Sequence, residues 1–277
     1  MSSNQYTPSG FRLLPPVVKN LLIINGLFYL ATLTFESTFH IDLVRFLGLH
    51  YFQSEYFQPY QYVSYMFLHA DFWHIFFNMF SLWMFGSLLE NVWGPKRFLT
   101  FYMITGIGAA LIQTLVNWWD FSSLQQEALL YADQPTLDTF VGFVKQNFPN
   151  YYDYHDTIRA FISQWTLNPA NPGYASQSVD YVNQLIQMQM NIPTIGASGA
   201  VFGILLAFGM LFPNMLVYIY FLIPVKAKWI VIILGAIEIF SGISRNPSDN
   251  VAHFAHLGGM LFGFFLILYW RKKQFSN

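Results

Sequence analysis

Runs of apolar residues long enough to cross a bilayer recur along this chain, separated by polar or turn-rich stretches. A hydrocarbon core of about 30 Å takes roughly 20 apolar residues per helix. Five stretches approach that length: Val17 to Phe35, Phe72 to Leu89, Phe98 to Trp118, Thr194 to Leu211 and Val251 to Trp270. A sixth, Trp229 to Ile243, covers only about 22 Å at the helical rise. The apolar run Met215 to Ile223, closed by Pro224, is shorter still and reads as an interfacial segment. The pattern predicts an all-α, polytopic six-helix bundle with both termini on one side of the membrane.

Between spans three and four the membrane pattern breaks. Asp120 to Pro193 is polar, turn-rich and too long for a simple connection. Ser123 with Gln126 resembles a capping box, and Pro135 suits the first turn of a helix carrying Phe140, Phe143, Val144 and Phe148. Helical spacing recurs in Ile158, Phe161, Ile162 and Trp165, and again in Val179, Val182, Leu185, Ile186 and Gln189. The chain thus divides into residues 1–119 (spans one to three with the first external loop), 120–193 (an external helical insertion) and 194–277 (spans four to six). The first and third parts form one membrane domain. The insertion reads as a unit packed on the outer surface of the bundle, with substrate binding as the alternative. The first external loop, Glu36 to Asp71, is rich in Tyr and Phe, which favour the headgroup region and predict that it lies along the bilayer surface.

Composition agrees with a membrane protein: 55% of the 277 residues are hydrophobic and only 10% are charged, against about 25% charged in soluble domains. Lys and Arg near span ends are retained in the cytoplasm. Nine basic residues (Arg12, Lys19, Lys96, Arg97, Lys226, Lys228, Arg271, Lys272 and Lys273) fall on the side of the termini, against Arg45, Lys145, Arg159 and Arg245 on the other. This predicts cytoplasmic termini, as in a multi-pass protein of a bacterial cell membrane. Arg12 and Lys19 before the first span resemble a signal peptide's start, but the apolar part is long and no small-residue cleavage site follows, so the helix reads as retained. The chain has no cysteine, which excludes disulfides, a thiol nucleophile and thiolate metal sites. No basic patch suggests nucleic acid; the partner is the lipid bilayer.

Spans two, four and six all begin at the outer face, and each carries its unusual polar residues in its first turns: His74 and Asn78, Ser198, and His253 with His256. Polar groups at one depth in a membrane usually face the bundle interior or a water-filled cavity. A serine with a histidine suffices for a nucleophile and general base. His74 and Asn78, four apart on one helix face, are placed to donate to a tetrahedral oxyanion together with the backbone N–H of Ser198 near a helix start. Gly199 with Gly203, and Gly259 with Gly263, each form G-x-x-x-G, which lets membrane helices approach closely. No aspartate is placed as a third member, so packing must orient the base. Glu238 in the fifth span reads as structurally paired and takes no role. His69, His74, His253 and His256 fit a metal poorly, because H-E-x-x-H is absent and no carboxylate completes the set. No metal or other cofactor is expected.

Together the motifs resemble the rhomboid intramembrane serine proteases. The matching elements are "HIFFN" at His74 to Asn78, "GASG" at Gly196 to Gly199, and "AHLGGMLFG" at Ala255 to Gly263, which fits the family's A-H-x-x-G-x-x-x-G. The resemblance covers the six-helix core and leaves out the insertion. It implies Ser198 as nucleophile, His256 as general base, and His74 and Asn78 with the Ser198 backbone as the oxyanion site. His256 is preferred to His253 because the motif requires a glycine three residues on, which Gly259 supplies. Phe202 falls where family members often stack an aromatic ring on the base. A Trp-Arg pair in the first external loop of some members is replaced here by Tyr60 and Gln61, which leaves that loop's anchoring unexplained. The implied activity is cleavage of transmembrane segments of other proteins near the outer face, with the short fifth span as a mobile gate. Two other classes remain: a catalytically silent rhomboid-like protein that binds membrane helices, against which the intact Ser198 and His256 argue, and a transporter using the polar cluster as a pathway.

Overall fold

The structure is a computed structural model and describes residues 10–219, 222–244 and 251–275. Arg245, counted above among the external basic residues, lies outside the described residues. Helix α1 (Pro16–Thr34) begins with proline at its first position, where the missing N–H is no loss. It has no local side-chain cap. Its first two donors, the N–H groups of Val17 and Val18, instead reach the two carboxylate oxygens of the buried Glu90 at 2.9 and 2.8 Å. A negative charge at this end also suits the helix dipole.

A π-helical turn at Phe35–Phe39 leads into the first external loop, which carries the short helices α2 (Leu43–Leu47) and α3 (Gln61–Ser64). Helix α4 (Phe72–Ser81), capped by Asp71, passes through a π-helical segment at Leu82–Gly86 into α5 (Ser87–Trp93), so the second span is one 22-residue rod. Helix α6 (Pro95–Asp133) has 39 residues, about 58 Å at the helical rise, and continues well beyond the predicted third span. Ser123 and Gln126 lie inside it, so they start no helix. The actual box is Thr136 with Thr139 at the head of α7 (Leu137–Asn147), which leaves Pro135 just outside. Helices α8 (Pro149–Tyr154), α9 (Asp156–Leu167) and α10 (Gly173–Met190) follow. The predicted stripes on α7, α9 and α10 bury Phe140, Phe161, Trp165 and Ile186 against Phe121 and Tyr131 of α6, so the insertion has its own core. Tyr51 of the first external loop joins that core, its ring 4.7 Å from that of Phe121.

Helix α11 (Ser198–Leu211) is followed by a small antiparallel hairpin, β1 (Leu216–Ile219) and β2 (Ile223–Lys226), then by α12 (Ala227–Ser244) and α13 (His253–Phe275). Three expectations change here. The run read as an interfacial segment forms part of the hairpin. The short member of the bundle is α11, at 14 residues, because Thr194 to Ala197 is not helical. The fifth span is not short: α12 has 18 residues, about 27 Å, which removes the length argument for a gate.

Helices α6, α11 and α13 form the centre of the bundle, where Phe98, Phe101, Tyr102, Ala200 and Ile204 are buried. Leu30, Phe77, Leu115, Ile232, Phe240 and Phe265 face outward and are exposed. An apolar surface of this extent belongs in lipid, and the chain is an all-α polytopic membrane bundle.

Removing the cap of α1 should be measurable. Glu90→Ala is expected to lower unfolding stability in detergent by about 1–3 kcal/mol, since one buried and one half-buried donor lose their acceptor. A denaturation midpoint equal to that of the unmodified protein would contradict the capping role.

Candidate active site

The site is built from the first external loop inward. Gln61 is fully buried, and its side-chain oxygen accepts from the N–H groups of His50 and Gln58 at 3.2 and 3.1 Å. Its amide donates to the carbonyls of Phe46 and Tyr56 at 3.0 and 2.9 Å. One neutral side chain therefore ties four points of the loop, while the Tyr60 hydroxyl adds a bond to the Phe46 carbonyl at 3.1 Å. This is how the loop is anchored without the Trp-Arg pair. The loop in turn pairs with the segment entering α11. Leu49 and Thr194 exchange both backbone bonds at 2.9 Å, the Gly196 N–H donates to the Tyr65 carbonyl at 2.9 Å, and the Ser54 hydroxyl donates to Asn191 at 2.7 Å.

Gly196 has φ +126, a region open to glycine, and a Cβ there would lie 2.8 Å from His74 Nε2 and 3.5 Å from Ser198 Oγ. The absent side chain leaves space that both groups face. Ser198 is the first residue of α11, so its N–H is among the donors without an intrahelical acceptor. On α4, the Ala70 N–H donates to His74 Nδ1 at 3.3 Å, which assigns the remaining ring proton to Nε2, the atom facing that space. Asn78 is buried on the same helix face and donates to the His74 carbonyl at 3.0 Å, which leaves the other N–H of its amide. Nearby His69 packs edge-on to His74, ring centroids 5.0 Å apart. Burial first and His74 second push the His69 imidazole down to about 3, so it stays neutral.

Helix α13 crosses α11 with almost no space between the backbones. A Cβ on Gly259 would lie 1.8 Å from the Gly199 carbonyl oxygen, and one on Gly263 would lie 3.5 Å from Gly203 Cα. Gly203 itself abuts Thr105 of α6, where a Cβ would meet the threonine at 2.7 Å. Three residues before Gly259, the buried His256 places Nε2 2.8 Å from Ser198 Oγ. The Phe202 ring, one turn along from Ser198, stacks on the imidazole at 4.2 Å with planes 6° apart. Ser198, His256 and Phe202 of α11 and α13 thus meet directly, His74 of α4 faces the space beside Ser198, and Asn78 lies one turn from His74 on α4.

Glu238, read from the sequence as structurally paired, is paired with histidines at this place. Glu238 of α12 is buried, and its Oε2 lies 2.6 Å from His253 Nδ1 and 3.0 Å from His256 Nδ1. The first contact is an aligned hydrogen bond. The second lies off the ring N–H direction and is a close approach without hydrogen-bond alignment. A carboxylate does therefore meet two of the histidines, contrary to expectation, and the three donor atoms fall within 4.8 Å of one another. Tetrahedral ligands about 2.0–2.1 Å from an ion sit about 3.3 Å apart, wider than the 2.6 and 3.0 Å here, and the shorter of the two is a hydrogen bond.

The rhomboid domain family model matches residues 56–120 and 164–273. The chain belongs to the rhomboid family. The match includes His74, Asn78, Ser198, Phe202, Glu238 and His256 and is interrupted only inside the insertion. Among rhomboid relatives, the chain is 34% identical to Rhomboid-like protein 11, chloroplastic, of Arabidopsis thaliana, over 33% of this chain and 34% of that protein. It is 24% identical to Rhomboid protein 1, mitochondrial, of Saccharomyces cerevisiae, over 71% of this chain and 38% of that protein. The aligned part thus spans little more than a third of either relative. Both are eukaryotic and organellar by name, so they lend no support to a bacterial cell membrane.

The crossing predicts a sharp sensitivity at one position. Gly259→Ala gains about 1 kcal/mol of helix propensity but must separate two backbones, and a net loss of about 1–3 kcal/mol is expected by detergent denaturation, together with loss of any reactivity at Ser198. A fully stable, fully reactive variant would contradict the close crossing.

Proposed function

We propose that this protein is an intramembrane serine endopeptidase that cuts transmembrane segments of other proteins. Membership of the rhomboid family supports a protease-type function. The observation that carries the finer reading is the 2.8 Å approach of His256 Nε2 to Ser198 Oγ beneath the stacked Phe202 ring. In this reading Oγ attacks the scissile carbonyl while His256 Nε2 takes its proton. The resulting oxyanion accepts hydrogen bonds from His74 Nε2, the Asn78 amide and the Ser198 N–H. Collapse expels the amine, which receives its proton from His256, and leaves the amino-terminal part of the substrate as an ester on Ser198. Water, deprotonated by the same imidazole, then releases it.

The polar groups lie inside an apolar bundle, where only a hydrated cavity supplies that water. A helical peptide bond is shielded by its own hydrogen bonds, so substrates whose helices unwind near the cut are preferred. The distribution of basic residues supports both termini on the cytoplasmic side.

The test is cleavage of a reporter carrying one membrane helix, co-reconstituted in vesicles. Ser198→Ala and His256→Ala should each reduce product formation by at least about 10³-fold, and Asn78→Ala by about 10²–10³-fold. Wild-type cleavage by Ser198→Ala would refute the nucleophile. Substrate binding without cleavage by the unmodified protein would favour a silent helix-binding member, and solute flux that survives Ser198→Ala would favour a transporter.

A further inference from the structure

The catalytic reading above uses Ser198 and His256 and leaves Glu238 idle, although this carboxylate is buried in the bundle against the base. An ionised group at such depth is costly unless paired and is usually functional. Its oxygen Oε2 is shared by two imidazoles of one helix face, His253 and His256, which are three residues apart on α13. The two contacts differ in kind. His253 holds the carboxylate by an aligned bond at 2.6 Å. His256 lies 3.0 Å away through Nδ1, the nitrogen opposite the one that faces Ser198.

Resting on that reading, we propose that Glu238 is a positioning residue for the reaction: His253 fixes its carboxylate, and the carboxylate orients His256 and balances the charge of the imidazolium. When His256 Nε2 takes the Ser198 proton, both ring nitrogens carry protons and the ring becomes positive. The carboxylate then faces a full positive charge at Nδ1, whereas in the resting state it faces a neutral ring. The interaction is therefore stronger in the transition state than in the ground state, which is the condition for accelerating the chemical step. Because Glu238 comes from α12, that helix supplies part of the catalytic machinery as well as one wall of the site. A helix displaced from α13 would take the carboxylate with it and leave the Ser198 and His256 pair unassisted.

The experiment compares Glu238→Gln and Glu238→Asp with the unmodified protein in the full chain, reading kcat and KM for the reporter helix, the rate of fluorophosphonate labelling, and the denaturation midpoint. Glu238→Gln keeps shape and hydrogen bonding but removes the charge. It should lower kcat and the labelling rate about 10- to 100-fold, less than the about 10⁴-fold effect of an aligned Asp-His pair because the contact is off-axis. KM should stay within about twofold. Glu238→Asp, which keeps the charge on a shorter arm, should react faster than Glu238→Gln. A role confined to holding α12 against α13 would instead shift the midpoint and KM and favour Gln over Asp. Labelling of Glu238→Gln at the unmodified rate, with Ser198→Ala unlabelled, would overturn this proposal alone; labelling of Ser198→Ala would overturn the dyad beneath it. Should Glu238→Gln not insert stably, Glu238→Asp is set against Glu238→Ala, and equal rates would overturn the proposal.

Discussion

The site depends on one contact between two backbones, the crossing of α11 and α13 where Gly259 faces the carbonyl of Gly199. In lipid, helices gain little from hydrophobic burial against one another, so association rests on close van der Waals packing, which small residues permit. Ser198 immediately precedes one crossing glycine and His256 precedes the other by three residues, so close packing carries their side chains to hydrogen-bond distance. Helix α6 closes the remaining side through Thr105 and Ala109 against Gly203 and Gly199.

A second constraint comes from outside the membrane. The first external loop fixes the chain entering α11 through the Leu49 and Thr194 bridge and the bond from Gly196 to Tyr65, and the loop itself is held by Gln61. A neutral amide with two donors and two acceptor positions meets four backbone groups and leaves no buried charge to compensate. Because Gly196 then directs its vacant side toward His74 and Ser198, the loop and these two side chains are parts of one structure. The insertion packs on the same loop through Tyr51, which gives this external unit a physical connection to the site while its own core stays separate.

Much of this was legible in the sequence because the informative signals were local. Apolar runs marked the spans, and three short motifs pointed to Ser198, His256, His74 and Asn78; the structure joins Ser198, His256 and Phe202 and sets His74 beside Ser198. The stripes on α7, α9 and α10 were legible for the same reason. What escaped needed information that local patterns lack. Glu238 meets His253 and His256 only through the axial register of α12 on α13, which no local spacing encodes. Ser123 and Gln126 resembled a boundary because capping residues are tolerated within a long helix such as α6. Helix α11 came out shorter than its apolar run because Thr194 pairs with Leu49 of the loop and the helix starts only at Ser198.

The central claim is that this packing makes Ser198 a nucleophile. Its most direct test is to locate, by peptide mass mapping, the covalent adduct left by a fluorophosphonate on the unmodified protein in membranes. A single phosphonylated peptide with the adduct on Ser198 is expected. No adduct, or an adduct on any other hydroxyl of the chain, would contradict it.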